Sequence, residues 1–318
     1  MRIVLTGSIA YDYLMTFPGR FADHILPERL ERLSLSFLVD TLVRRRGGIA
    51  ANIAYTLALL GERPAVMGTV GEDFGDYRAW LETQGVDTRP IRAVPGLFTA
   101  SFFVNTDRTN AQIASFYAGA MAHAGELRLA DLPERPELVV ISANDPQAMQ
   151  AYGREARALG IPFFYDPSQQ VVRLDGPALR EGIEGAAGLF VNDYEFGLIE
   201  QKTGLDREAA AGRVGLLVIT RGAEGADLAR GAERVSVPAV VPGRIDDPTG
   251  VGDAFRAGFI KGHLHGLSLE RCGQMGALAA AYCLEHSGTQ GHRFDLPGFI
   301  ARFRRHFDDQ GELDRLLA

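Results

Sequence analysis

ELVVISA (137–143), PFFYD (162–166), GLFVN (188–192) and GLLVITR (215–221) recur along the middle of the chain as short apolar runs, each reading as a buried strand. Between them, 146–159, 177–187 and 193–203 read as helices. Apolar strands that alternate with helices make a mostly parallel sheet covered on both faces. Ligands of such open sheets bind beyond the carboxyl ends of the strands.

The same rhythm extends outward. Residues 2–6 are a strand ending at Gly7-Ser8, 47–60 a helix opened by two glycines and stopped by Gly61, 65–70 a strand and 74–84 a helix closed by Gly85. Residues 98–104 and 111–117 are β-rich around a polar turn, so a hairpin is expected there. Residues 225–241 read as an antiparallel pair, and helices follow near 250–265, 268–286 and 295–309. Two stretches, about 10–46 and 97–121, are irregular, β-leaning interruptions of the α/β rhythm. The expectation is one α/β/α domain over residues 1–318, with a small β lid built from those two insertions.

Composition narrows the function. The chain has 318 residues, 46% hydrophobic and 23% charged, with a formal net charge of −7. An acidic surface repels phosphate backbones, so no nucleic-acid partner is expected. A phosphate-bearing ligand would be held by local amides and a few cations. Cys272 and Cys283 lie in one expected helix, roughly 16 Å apart along its axis, too far for a disulfide. They read as free thiols of a reducing compartment. The first residues lack the apolar stretch of a signal peptide, and no run reaches membrane-spanning length, so a cytoplasmic location and no membrane partner are expected.

The strongest chemical signal is Asp247-Pro248-Thr249-Gly250-Val251-Gly252-Asp253-Ala254-Phe255, which opens a helix. Its glycines permit a tight turn and close approach of a ligand to the backbone. Amides of Gly250, Val251 and Gly252 at a helix start make an anion hole suited to a phosphoryl group. Asp253, beside that hole, can accept a hydroxyl proton. A dinucleotide fingerprint would need a glycine where Phe255 stands, and no Gly-Lys-Ser/Thr loop occurs in the chain. Taken alone, the run also reads as a glycine-rich turn with Asp253 merely favouring the helix dipole.

Three further elements accompany it: Arg46-Gly47-Gly48-Ile49-Ala50-Ala51-Asn52, Asn192-Asp193-Tyr194-Glu195 and Thr220-Arg221-Gly222-Ala223-Glu224-Gly225. In this order the four resemble the signatures of the ribokinase-like (PfkB) kinases and cover nearly the whole chain. The resemblance implies a three-layer ribokinase-like sandwich and transfer of the ATP γ-phosphoryl group to an alcohol. It implies Asp253 as the base and the amides of Gly250, Val251 and Gly252 as the anion hole. Asn192 and Glu195 would place Mg-ATP, with Glu195 reaching Mg²⁺ through water. Thr220, Gly222 and Gly225 would line the nucleotide cleft. Asp247 matches a position that holds K⁺ in many members, and lid sheets of the family pair between subunits, so a homodimer is expected.

The substrate half carries a narrower resemblance. GSIAYDYLMTFPGRF, LSLSFLVD, AQIASFYAGAM, ANDPQAM and DPSQQ are similar to stretches of bacterial adenosine kinases of the actinobacterial type. That implies adenosine as acceptor. Ser8 and Asp12 follow the first strand. Asp12 with Asn52 would grip the ribose diol, and Gly48 would let the backbone approach the sugar. Ser36, Phe102 and Phe116 would hold the base, with Gln169 and Gln170 as further base-side contacts. On the residues alone, Asp12 also reads as a turn former, and the two phenylalanines as lid core at strand spacing. The rival acceptors are a sugar, as in ribokinase, or another nucleoside; a dead-kinase ligand-binding regulator is the rival of a different class. The Arg44-Arg45-Arg46 run reads as a solvated face or a phosphate-steering set. His263 and His265 face different sides of a helix and are assigned no metal.

Overall fold

The computed structural model describes residues 3–26, 31–32 and 34–317. Arg2 of the first expected strand, and residues 27–30 and 33 of the first lid segment, lie outside the described residues. The body is a nine-stranded sheet. Its strands are β1 (Ile3–Thr6), β4 (Ala65–Val70), β5 (Ile91–Ala93), β8 (Leu138–Ser142), β9 (Phe163–Asp166), β10 (Gly188–Asn192), β11 (Leu217–Thr220), β12 (Ala226–Arg230) and β13 (Glu233–Val237). Their order is β13-β12-β11-β10-β9-β8-β1-β4-β5. Pairing is parallel from β11 to β5 and antiparallel at β12 and β13.

Alternation along each strand separates two cores. Val140, Phe164, Phe190 and Val218 face α1 (Ile49–Leu59), α2 (Gly75–Thr83), α7 (Val251–Leu264), α8 (Leu269–Leu284) and α9 (Leu296–His306). Val139, Ile141, Phe163 and Leu189 face α3 (Pro146–Leu159), α4 (Gly176–Ile183), α5 (Asp193–Thr203) and α6 (Arg207–Ala211). The period-two pattern of each run thus serves both faces, which is why the runs are apolar throughout. Cys272 and Cys283 are free and buried in α8, as expected.

A second, four-stranded sheet is inserted between β1 and α1 and between β5 and β8. It comprises β2 (Ala10–Phe17), β3 (Thr41–Gly47), β6 (Ala100–Asp107) and β7 (Gln112–Tyr117), in the order β3-β2-β6-β7. The expected hairpin is β6-β7. Two boundaries differ from the sequence reading. The helix expected over 177–187 ends at Ile183, where Glu184 turns extended ahead of Gly185 at a φ of 69°, and Arg157 donates to the carbonyls of Glu181 and Glu184. The last strand of the second lid segment ends at Tyr117, while Met121 packs with Ala10 and Ala100 at the base of the lid. Residues 119–126 form a 3₁₀ turn joined to the body, where Thr69 and Tyr152 donate to the carbonyls of Ala120 and Ala124.

Candidate active site

Helix capping divides the molecule. Asp145, Asp175, Asn192, Asp206, Ser268 and Asp295 each cap a helix start with a side-chain oxygen. The starts of α1 and α7 have glycine N-caps, Gly48 and Gly250, and no capping side chain from that position. Both starts line one cavity between the body sheet and the lid; at α1 the Ile49 and Ala50 N–H groups are taken by Ser8, and the start of α7 carries no side-chain cap. Both glycines hold positive φ, 94° and 80°. A Cβ on Gly48 would lie 2.5 Å from the Ser8 carbonyl oxygen, and one on Gly250 2.9 Å from the Thr289 side chain. Neither turn admits another residue without moving the wall it touches.

The cavity, about 620 Å³, gathers most of the expected residues. Ser8, Asp12, Gly48, Asn52, Phe102, Phe116, Gln169, Asn192, Glu195, Thr220, Asp247, Gly250, Gly252 and Asp253 all line it. Val251 sits between two lining glycines in the first turn of α7. Others lie outside. Ser36 is exposed in the irregular segment leading to β3, where its neighbour Phe37 packs against Phe17 and Phe21. Gln170 is turned into the body and donates to the Asn144 carbonyl at 2.7 Å. Gly222 and Gly225 shape the turn after Thr220 rather than the wall, and a Cβ on Gly225 would strike the Val237 carbonyl.

The lid contributes one row. In register, Arg45 pairs with Asp12, Asp12 with Phe102, and Phe102 with Phe116, so a cation, a carboxylate and two aromatic rings lie side by side on one face. Phe116 is 53% exposed, an aromatic face left open to the cavity. Burial pushes the Asp12 carboxyl up to about 6, with Arg45 pulling it down and Asp247 pushing it further up. Ser8 Oγ accepts from the Ile49 N–H at 3.1 Å, so that side chain braces α1.

Asp253 is the candidate chemical centre. Burial pushes its carboxyl up to about 7; Arg256 and an Asn52 hydrogen bond pull it down, while Asp166 and Glu195 push it up. Arg256, one turn further along α7, is held by Asp166 at 2.6 Å. Asn192 and Glu195 form a reciprocal capping box. The Glu195 N–H donates to Asn192 Oδ1 at 2.7 Å, and the Asn192 N–H to Glu195 Oε2 at 2.8 Å. The Asn-x-x-Glu element is therefore a cap as well as part of the wall.

One network was not read from the sequence. The indole N–H of Trp80, which can only donate, bonds to Gln290 Oε1 at 3.0 Å. That fixes the Gln290 amide, whose nitrogen donates to Asn52 Oδ1 at 3.0 Å and also contacts the Tyr77 hydroxyl. The Asn52 nitrogen is thereby turned toward Asp253 and donates to its Oδ2 at 2.8 Å. A donor-only group on α2 thus sets the polarity of a chain that ends on the candidate base. The cavity has the parts of a phosphoryl-transfer site: a carboxylate titrating near neutrality, uncapped N–H groups beside it, and a polar wall opposite an aromatic one.

The family model described as pfkB family carbohydrate kinase matches residues 8–293. The chain belongs to that family. It is accordingly a phosphotransferase with an alcohol group as acceptor. Among solved structures, this kinase resembles the nucleoside kinase of Burkholderia thailandensis in complex with inosine: 36% identity, TM-score 0.87, covering 96% of this chain and 98% of that one. The same protein has been solved in complex with ADP-inosine, at 38% identity and a TM-score of 0.84, covering 96% of each chain. The nucleoside kinase of Methanothermobacter thermautotrophicus is 30% identical over 308 residues, 95% of each chain. The acarbose 7(IV)-phosphotransferase of an Actinoplanes species is 42% identical over 280 residues, covering 83% of this chain and 89% of that one.

Two outcomes are expected. With Asp253 titrating near 7, kcat/KM for the acceptor rises with pH and reaches half its plateau near that value; a flat profile from about pH 5.5 to about pH 8.5 would remove Asp253 as base. Folding raises this pKa, so the native state holds the proton more tightly than the unfolded chain, and stability is lost as pH rises through about 7. Asp253→Asn should therefore melt above the native protein at pH 8, with the gap closing toward pH 5, while losing roughly 10²–10⁴ in rate. Gln290→Met should lower kcat roughly fivefold, about one hydrogen bond's worth, and raise the midpoint of the pH profile as Asn52 loses its orientation. An unchanged midpoint would separate that network from the base.

Proposed function

We propose that this kinase transfers the γ-phosphoryl group of ATP to the 5′-hydroxyl of a nucleoside, with adenosine preferred. The observation that carries this reading is the lid row, with Asp12 beside Phe102 and Phe116 across one cavity from Asp253. A carboxylate accepts two vicinal hydroxyls, and aromatic faces take a flat base. Gln169, which lines the cavity from the body side, offers an amide with both a donor and an acceptor, which suits the edge of adenine. The inosine complex of the Burkholderia relative supports a nucleoside as the ligand class.

In this reading the ribose lies against Asp12 and Asn52, with its 5′-carbon toward α7. Asp253 takes the 5′-hydroxyl proton as that oxygen attacks the γ-phosphorus, and ADP leaves. The N–H groups of Gly250, Val251 and Gly252 hold the phosphoryl oxygens as their charge develops. Thr220, Asn192 and Glu195 border the path of the remaining phosphates. Asp166, Glu195 and Asp253 face the single guanidinium of Arg256 within the surroundings of the base, an environment that repels a polyphosphate. Glu195 has one carboxylate oxygen in the capping box and lines the cavity, so its other oxygen is the candidate for a water-mediated hold on Mg²⁺. Bound there, Mg²⁺ would neutralise phosphate charge. Below about pH 6, protonation of Asp12 should raise KM for the nucleoside.

The Actinoplanes relative favours a second reading, in which the acceptor is a sugar or sugar-like alcohol. A panel of adenosine, inosine, guanosine, cytidine, ribose, fructose and acarbose, assayed by ADP release with Mg-ATP, separates the two. The nucleoside reading expects the highest kcat/KM for adenosine, a loss of roughly tenfold or more with 2′-deoxyadenosine, and a rise in KM of similar size for Phe116→Ala. Turnover of ribose, fructose or acarbose but no nucleoside, unaffected by Phe116→Ala, would sink it.

A further inference from the structure

Asp247 is where the family resemblance puts K⁺, and its surroundings do not suit a monovalent metal ion. Such an ion needs carboxylate and carbonyl oxygens with lone pairs to spare. Both Asp247 oxygens are already taken by N–H donors: Oδ1 accepts from the Thr249 N–H at 2.9 Å, and Oδ2 from the Gly288 N–H at 3.0 Å. The decisive partner is Arg45, whose Nη1 lies 2.7 Å from Asp247 Oδ2. Its Nη2 donates to Ser287 Oγ at 2.7 Å. A metal ion at the same oxygen would meet a fixed positive charge.

Arg45 comes from the lid, not the body. It lies on β3 opposite Asp12, so one guanidinium serves two carboxylates, Asp12 across the strand pair and Asp247 below. Burial pushes Asp247 up, but the N–H donors of Thr249 and Gly288 and the charge of Arg45 outweigh it and hold the carboxyl below its ordinary range. β3 is also stitched to the 287–290 loop at a second point, where Thr289 Oγ1 donates to the Arg46 carbonyl at 3.0 Å. That loop packs on Gly250, at the anion hole. A cation here holds two loops together and cancels a carboxylate that would otherwise repel an incoming phosphoryl group. Arg45 meets both needs, and a planar fork bonded to two loops at once is better placed for this than a mobile ion.

We infer that Arg45 is a built-in counter-ion at Asp247, so that this kinase works without a monovalent metal ion. The inference rests on the proposed phosphoryl transfer for its kinetic half only. The experiment compares native protein, Arg45→Met and Arg45→Lys in KCl, NaCl and tetramethylammonium chloride at equal ionic strength, by thermal melting without substrate and by ADP release with adenosine. The native protein is expected to give the same melting temperature and the same kcat/KM in all three salts. Arg45→Met should lose roughly tenfold or more in kcat/KM in tetramethylammonium chloride. It should recover part of that loss, and gain melting temperature, when K⁺ or guanidinium is added. Arg45→Lys, which keeps the charge, should fold and stay indifferent to the salt.

A K⁺-specific rise in the native protein's melting temperature or turnover would overturn the inference. So would a folded Arg45→Met that matches the native protein in every salt, or one that neither K⁺ nor guanidinium restores. If Arg45→Met does not fold, a K⁺ requirement in Arg45→Lys has the same force. Absence of ADP release with every acceptor and salt would count against the proposed function, and the melting comparison would still decide the role of Arg45.

Discussion

The Asn52–Asp253 hydrogen bond joins the first turn of α1 to the first turn of α7, and the site depends on those two helix starts meeting. Neither start takes a capping side chain from its own N-cap glycine, whereas six other helices do; at α1 Ser8 supplies the acceptors for Ile49 and Ala50 instead, and the start of α7 has no such cap. An uncapped N-terminus costs helix stability unless a ligand supplies the missing acceptor. The start of α7 is such an end, facing the cavity beside a carboxylate that titrates near neutrality, and it is the candidate place for an anion.

The electrostatics follow from the same junction. Asp253 is kept from being an ordinary carboxylate by burial and by its neighbours Asp166 and Glu195, and kept from being permanently neutral by Arg256 and Asn52. Arg256 stays in place because Asp166 holds it in the body, and because Gly252 leaves room: a Cβ there would come within 2.8 Å of the guanidinium. On the lid side Arg45 plays the matching part for Asp12 and Asp247. Two arginines, one from each sheet's side of the cavity, set the charge state of the carboxylates that a phosphoryl acceptor and donor would meet.

Much of this was legible in the chain because it is local. Strand–helix alternation is written in periods of two and 3.6, and the glycine-rich opening of α7 is a contiguous run. The lid was legible as an interruption but its decisive feature was not. The row Arg45–Asp12–Phe102–Phe116 is a matter of register between strands far apart in sequence, and a slip of one residue would turn every member to the other face. Arg45 thus read as part of a solvated run, although it reaches Asp247. Ser36 read as a base contact, but it is exposed beside Phe37, whose ring contacts are with Phe17 and Phe21. The chain from Trp80 through Gln290 to Asn52 joins three distant segments and leaves no local pattern. Arg256 did leave one: a lone charge in the apolar AFRAGF, one turn after Asp253.

The central claim is that Asp253 activates a nucleoside 5′-hydroxyl for attack on ATP. The most direct measurement is the identity of the product after incubation with adenosine and Mg-ATP, read by phosphorus and proton NMR. One new phosphomonoester is expected, coupled to the two 5′ protons of the ribose and formed in step with ADP. A phosphate on the 2′- or 3′-oxygen, or ADP formed with the nucleoside unchanged, would contradict the claim.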